Sequence, residues 1–102
     1  MARKRSLLNP RALGRAAECL RTLAHPHRLR MVQLLLRAEH TVGDLADACD
    51  IPSHVASEHL RKMKDRGLLA SRRDGRCNYY RVQDPSLPGV MRCLEKRHSR
   101  RR

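Results

Sequence analysis

One stretch, residues 51–69, concentrates side chains that can donate and accept hydrogen bonds. If it forms an α-helix, at 100° per residue, Ala56, Leu60 and Met63 fall on one apolar side. The opposite side and its flanks carry a polar set: Ser53, His54, Ser57, Glu58, Arg61 and Lys62. Hydroxyl, imidazole and carboxylate groups suit base edges in the major groove of DNA, and the two cations suit phosphates. A solvated surface helix has the same pattern, so the stretch alone leaves both interpretations open.

A second basic group surrounds the dipeptide Asp74-Gly75, which is a strong signal for a hairpin turn. The turn is flanked by Arg72, Arg73 and Arg76. A basic hairpin beside a groove-binding helix can reach the minor groove or flanking phosphates. Charge that protects an exposed strand edge is the alternative. Helix and hairpin together favour DNA, and His59, at the edge of the apolar side, is predicted as a phosphate contact or a packed ring.

The charge of the chain supports a polyanionic partner. Its 102 residues include 23 lysines and arginines against ten acidic residues, a formal net charge of +13. Eight of the basic residues lie within residues 1–5 and 96–102, and another eight lie within residues 61–81, beside two acidic residues. The surplus therefore points to the same helix and hairpin. The two aromatic residues, Tyr79 and Tyr80, make no base-stacking platform, which argues against single-stranded RNA.

Helix start and stop signals divide the chain into five helices and one hairpin. Asn9-Pro10 and Pro26 are typical of helix starts, and Thr41 is a favourable N-cap. Gly67 ends the polar helix, as glycine does just past a helix C-terminus. Apolar spacing then predicts helices over residues 10–24, 26–38, 42–49, 52–66 and 87–98, with two strands between residues 68 and 82.

This order predicts a mainly α-helical fold with a β-hairpin wing, a winged helix-turn-helix of the order α-α-α-α-β-β-α. One domain is expected over residues 10–98, between basic tails at residues 1–9 and 99–102. No apolar run has the length of a signal peptide or a membrane span, so no membrane partner is expected. The sequence also has no Gly-rich phosphate loop, cleft-type carboxylate pair or nucleophile motif, so we expect no enzyme.

Three stretches carry a resemblance to a known family: LAHPHRLRMVQLLL, TVGDLADACDIPSHVASEHLRKMKDRGLL and RRDGRCNYYRV. Their combined motifs, H-P-x-R-L, V-x-D-L-A, S-x-H-L and R-R-x-G-R followed by Y-Y-R-V, are similar to those of the ArsR/SmtB family of bacterial winged-helix repressors. The resemblance covers about residues 15–95. It implies a homodimer that binds operator DNA and releases it when an inducer binds. It also implies a dimer interface on the first and last helices, at Leu13, Leu20, Val90 and Leu94.

The inducer sites of the best-known members do not carry over to this sequence. Where the arsenic-type site has cysteines, this chain has Thr41-Val42-Gly43-Asp44-Leu45. The zinc-type pattern of the last helix is reduced to Glu95 and His98, and Gln33 occupies the position of the cysteine in sulfide-sensing members. No cofactor is therefore required by the sequence, and whether a metal binds is unknown.

The four cysteines are widely spaced, without a C-x-x-C pair. Cys49 is predicted as a small buried hydrophobe and Cys77 as a half-exposed residue of the wing. Cys19 and Cys93 lie on the two helices expected at the dimer interface, where thiolates could share a soft metal or form a disulfide. They are the candidate sensor of a metal or thiol-based inducer, and inert packing is the competing interpretation.

The predicted function is that of a sequence-specific DNA-binding regulator, a homodimeric repressor that binds an inverted-repeat operator and is released by an inducer. The alternative is a basic structural protein that coats nucleic acid without sequence choice. The two differ in the ratio of specific to non-specific affinity. The expected location is the bacterial cytoplasm, at the nucleoid.

Overall fold

The computed structural model describes residues 6–99, and the predicted tail residues 1–5 and 100–102 lie outside the described part of the chain. The helices are Pro10–Leu23 (α1), Pro26–Leu35 (α2), Val42–Cys49 (α3), Ser53–Asp65 (α4) and Leu87–His98 (α5). The strands are His40–Thr41 (β1), Leu69–Asp74 (β2) and Cys77–Val82 (β3), in the antiparallel order β1-β3-β2. The predicted winged helix-turn-helix is confirmed. The predicted boundaries between domain and tails stay a prediction.

Capping hydrogen bonds explain where two of the helices begin. Asn9 Oδ1 accepts from the backbone N–H of Ala12 at 2.8 Å, ahead of the proline that opens α1. At α3, Thr41 Oγ1 accepts from the N–H of Asp44, whose carboxylate accepts in return from the N–H of Thr41. These hydrogen bonds from Thr41 hold the pKa of the Asp44 carboxyl below its usual value. Both predicted N-caps are thus confirmed, and α3 has a full capping box.

Positive backbone angles occur where the chain must turn sharply. Gly67, just past α4, has φ +80°, and Gly75 in the hairpin turn has φ +64°. Both confirm the turns predicted at these glycines. Asp50 has φ +57° between α3 and α4, and its N–H donates to the carbonyls of Ala46 and Asp47. This left-handed residue ends α3 and starts the turn that leads to α4.

The core lies between the inner sides of the helices and one face of the hairpin. On α2, Met31 and Val32 are fully buried, whereas Leu29 and Leu36 are only partly buried. The buried apolar residues are Leu23, Met31, Val32, Leu35, Leu45, Ala46, Ala56, Leu60, Met63, Leu68, Leu69, Tyr80, Leu87 and Met91. Within residues 6–99, no helix has both the length and the apolar character that crossing a membrane requires.

The structure contains a short strand that the sequence does not predict. β1 pairs His40 with Tyr80 and Thr41 with Tyr79 at the edge of the sheet. Helix α2 ends at Leu35 instead of about residue 38, although the N–H groups of Leu36 and Ala38 still donate to the carbonyls of Val32 and Leu34. Strand β1 leads directly into α3, so the sheet and the helix-turn-helix unit are tied together at this point.

Candidate nucleic-acid interface

Helix α4 is fixed to the molecule by its apolar side. Ala56, Leu60 and Met63 are completely buried. Between α3 and α4 only three residues intervene, and the N–H of Ile51 donates to the carbonyl of Ala46 across this turn. The turn has the length of that in a helix-turn-helix unit. The buried side of α4 then determines which side of the helix faces outward.

The outward side of α4 carries the predicted polar set. Ser57 is half-buried, and the groove along this side also includes Asp65. Within residues 6–99, neither Glu58 nor Arg61 nor Lys62 forms an ion pair. The exposed members of the set are Ser53, His54, Glu58, Arg61 and Lys62. The geometry brings these side chains together as predicted, and their binding to DNA stays a prediction.

His59 does not belong to this outward surface. It is only 9% exposed, because at 100° per residue it lies about 40° around the helix from the buried Met63. Its Nδ1 accepts a hydrogen bond of 2.9 Å from Nε–H of Arg28. Burial, and then the charges of neighbouring groups led by His25, lower the pKa of His59. His59 thus lies packed within the protein, as the packed-ring alternative has it, and a phosphate contact at His59 remains an untested prediction.

Arg72 of the wing has partners within the protein. Its Nε and Nη2 both donate to Oε1 of Glu39, at 3.1 and 2.9 Å, and Nη1 lies 3.8 Å from Asp74. Its guanidinium carbon lies 4.6 Å from the ring centroid of Tyr79, in cation–π geometry. The hydrogen bond and charge of Glu39 raise the pKa of Arg72. These contacts lie at the surface, where Arg72 ties β2 to the segment before β1, and its predicted contact with DNA stays a prediction.

The other two wing arginines remain available. Arg73 and Arg76 are exposed, and within the described residues 6–99 neither forms an ion pair. Arg73 pairs with Asn78 in the register, two residues along from the Ser71–Tyr80 pair, so it shares their face of the hairpin. Tyr80 on that face is 4% exposed. Arg73 therefore lies on the same side of the hairpin as the buried Tyr80, but at the exposed end of the wing.

Arg28 is a site residue to which the sequence interpretation gives no role. Its Nη1 donates to the carbonyl of Thr22 at 2.8 Å, while its Nε donates to His59. It thus connects the end of α1 to α4. The signal that could identify it is the H-P-x-R-L motif, in which Arg28 is the arginine. A second tie joins the same helices, since Arg66 Nη2 lies 3.0 Å from Oε1 of Glu18.

The four residues predicted at the dimer interface fall into two groups. Leu13 and Leu20 on α1 are 54% and 60% exposed. Val90 and Leu94 on α5 are half-buried, and Val90 packs partly against the core of its own chain. The single chain therefore leaves Leu13 and Leu20 uncovered, although Leu23 of the same helix is buried.

All four cysteines are free thiols, and they differ in environment. Cys19 and Cys49 are half-buried against the core, and burial raises the pKa of both, with the charge of Asp84 adding to the effect at Cys19. Cys77 and Cys93 are exposed. A raised pKa lowers the fraction of reactive thiolate at Cys19 and Cys49. Among residues 6–99, no three His, Cys, Asp or Glu side chains of one chain are arranged to hold a metal.

Comparisons with known proteins agree with this geometry. Residues 23–72 match the family described as Helix-turn-helix domain. The chain is 35% identical to the HTH-type transcriptional repressor SmtB of Mycobacterium tuberculosis, over 78% of this chain but only 58% of SmtB. It is 32% identical to the uncharacterized HTH-type transcriptional regulator Rv0081 of the same species, over 78% of this chain and 71% of that one. The crystal structure of NolR from Sinorhizobium fredii superposes with a TM-score of 0.81 at 27% identity, covering 95% of this chain and all of the other.

Proposed function

Because the chain belongs to the ArsR/SmtB family of winged helix-turn-helix regulators, we propose that it is a homodimeric repressor of transcription that binds an inverted-repeat operator. Proteins of this family are regulators and not enzymes, in agreement with the sequence prediction. The proposed place of action is the bacterial cytoplasm, at the nucleoid. An inducer that releases the DNA is part of the proposal, and its chemistry is left open.

The observation that carries the proposal is the outward side of α4. Its N-terminal half presents Ser53, His54, Ser57 and Glu58, which are the residue types that read base edges, and its C-terminal half presents cations. Glu58 can accept a hydrogen bond from the amino group of cytosine. Arg73 and Arg76 of the wing add two exposed cations that have no ion pair within residues 6–99 and suit phosphates.

A second copy of the chain is the proposed cover for the apolar side of α1. Leu13 and Leu20 lie seven residues apart, which is two turns of a helix, so they form one stripe. Burying such a stripe against its own symmetry mate gives a self-complementary interface of the kind that two-fold dimers use. Half-buried Val90 and Leu94 on α5 would extend this interface.

The proposed inducer does not need the predicted cysteine pair. In a single chain, the half-buried position and raised pKa of Cys19 support its role as a packing residue. Exposed Cys93 is the more accessible of the two thiols, and a second copy would bring another Cys93 to the same assembly. A thiol-based or metal inducer is therefore best sought at Cys93.

Footprinting on DNA tests the function itself. We expect protection of a pseudo-palindromic site whose half-sites lie about 34–36 Å apart, one helical turn of DNA, because two α4 helices related by a two-fold axis must read the same sequence twice. The site is obtained by selection from a random duplex pool with the purified protein. Selection that returns no shared sequence would favour the non-specific nucleic-acid-coating alternative and contradict the proposal.

Alanine substitutions should separate base contacts from phosphate contacts. Replacing His54, Ser57 or Glu58 is expected to change which variants of the selected site are preferred, by about 1–3 kcal/mol for each lost base contact. Replacing Arg73 or Arg76 should weaken binding to all sequences and reduce the slope of log affinity against log salt by about one unit each.

The matched control is Arg92→Ala, which removes one exposed arginine from α5. It should leave both the sequence preference and the salt slope close to those of the parent chain. If Arg73→Ala and Glu58→Ala altered binding in the same way, the assignment of helix to bases and wing to phosphates would be wrong.

A further inference from the structure

Three histidines and one arginine meet where α1, α2 and α4 converge. The ring centroids of His25 and His59 are 4.4 Å apart, those of His25 and His27 are 5.2 Å apart, and those of His27 and His59 are 5.9 Å apart. Arg28 links this cluster to α1 through the carbonyl of Thr22. We call these residues, His25, His27, Arg28 and His59, the histidine joint.

Two ring nitrogens of the joint act as hydrogen-bond acceptors. Nδ1 of His25 accepts from the backbone N–H of His27 at 3.1 Å, which caps the N-terminus of α2. Nδ1 of His59 accepts from Nε–H of Arg28 at 2.9 Å, which ties α2 to α4. An imidazole nitrogen accepts only through its lone pair, so each ring must be neutral, with its hydrogen on Nε2. A proton added to either Nδ1 takes the place of the hydrogen bond that this nitrogen accepts.

We infer that His25, Arg28 and His59 position the recognition helix α4 for DNA through these neutral rings, and that acidification releases the helix. The inference rests on the proposed DNA-binding function. Protonation of His59 would turn its acceptor Nδ1 into a donor that faces the donor Nε–H of Arg28. The hydrogen bond that ties α2 to α4 is then lost, while the apolar side of α4 stays packed against the core.

All the ionisable groups whose charges act on His59 lower its pKa. His25 is the N-cap of α2, His27 and Arg28 lie in α2, and Lys62 lies in α4 itself. On α1, Glu18 is engaged with Arg21 and Arg66. Burial is the largest cause of the lowered pKa of His59, and these four groups add to it.

The sign of the pH dependence follows from this lowered pKa. The unfolded chain has the ordinary histidine pKa of 6.5, so it takes up a proton before the folded chain does. Folding and helix placement are therefore favoured fully above pH 6.5 and lose support as the pH falls below it. For one such histidine, the folding equilibrium constant falls by up to about tenfold for each pH unit. This runs opposite to the gain in DNA affinity that protonation of exposed histidines would give.

A double variant, His25→Asn with His59→Asn, tests the inference. Asparagine keeps a side-chain acceptor near the position of Nδ1, is a favourable N-cap, and does not titrate. The first measurement is amide hydrogen exchange of α4 between pH 7.5 and 5.0, without DNA. Protection factors of the parent chain are expected to fall by up to about tenfold for each pH unit below 6.5, and those of the double variant to stay level.

The second measurement is affinity for the duplex selected from the random pool, over the same pH range. The parent should lose affinity relative to the double variant on acidification by the same factor. The control is His98→Asn, which removes an exposed histidine at the end of α5 and should keep the parent's profile. An equal pH profile for parent and double variant in hydrogen exchange would overturn the inference.

If the double variant does not fold, nitrogen NMR of the histidine rings in the parent chain decides the question. At pH 7.5 both His25 and His59 should carry their hydrogen on Nε2, and α4 protection should change at the pH at which His59 titrates. A hydrogen found on Nδ1 of His59 would overturn the inference. Neither exchange nor NMR uses DNA, so a failure of the joint is distinguishable from a failure of the proposed DNA binding.

Discussion

Replacing both Leu13 and Leu20 by aspartate is expected to leave a folded monomer that has lost most of its operator affinity. Each side chain is more than half exposed in the single chain, so the monomer should lose little stability, within about 0.5 kcal/mol per site. Carboxylates facing their symmetry mates across a two-fold axis would, however, prevent association. A monomer holds only one half-site, and the advantage of linking two binding modules is roughly 10²–10⁴-fold in affinity.

Sedimentation equilibrium and binding to the selected duplex measure the two effects. The matched control is Ser6→Asp with Gly14→Asp, which adds the same charge at exposed positions away from the leucine stripe, and a Cβ at Gly14 would meet no atom within 4 Å. It should remain dimeric and bind DNA nearly as the parent does. A parent chain that sediments as a monomer, or a Leu13/Leu20 variant that stays dimeric, would contradict the proposed interface.

The helices and turns could be predicted from the sequence because their signals are local. Asn9, Thr41, Gly67 and Gly75 act on backbone groups within a few residues of themselves, and each has the predicted role. The apolar side of α4 could also be predicted, because helical periodicity alone separates Leu60 from Arg61. The outward position of the polar set follows from the same periodicity.

Contacts between residues distant in the sequence could not be predicted in this way. Arg72 pairs with Glu39, which is 33 residues away, and no local pattern shows that a wing arginine has such a partner within the protein. The two-residue strand β1 is too short to have an alternating pattern. His59 differs, since its helical angle relative to Met63 already places it inside, and only its type suggests a surface role. Arg28 has its meaning only through partners in α1 and α4.

Leu60→Ala is expected to be the most destabilising of the substitutions on α4. Leu60 is completely buried among the core residues, and truncating such a leucine removes apolar burial and leaves a cavity, at a cost of about 2–5 kcal/mol. A domain of this size has a total free energy of unfolding of about 5–15 kcal/mol, so a large part of it would be lost. Urea unfolding at fixed protein concentration measures the effect as a lower midpoint with an unchanged slope.

Arg61→Ala is the matched comparison, because it changes the next residue, which points outward. Its free energy of unfolding should stay within about 0.5 kcal/mol of the parent's, while its binding to DNA should weaken and its salt slope should fall by about one unit. Leu60→Ala should show the reverse, with the sequence preference of the remaining folded protein unchanged. Equal losses of stability in the two variants would mean that α4 does not present Arg61 to a partner, and the proposed division of the helix into a packed side and a DNA-binding side would fail.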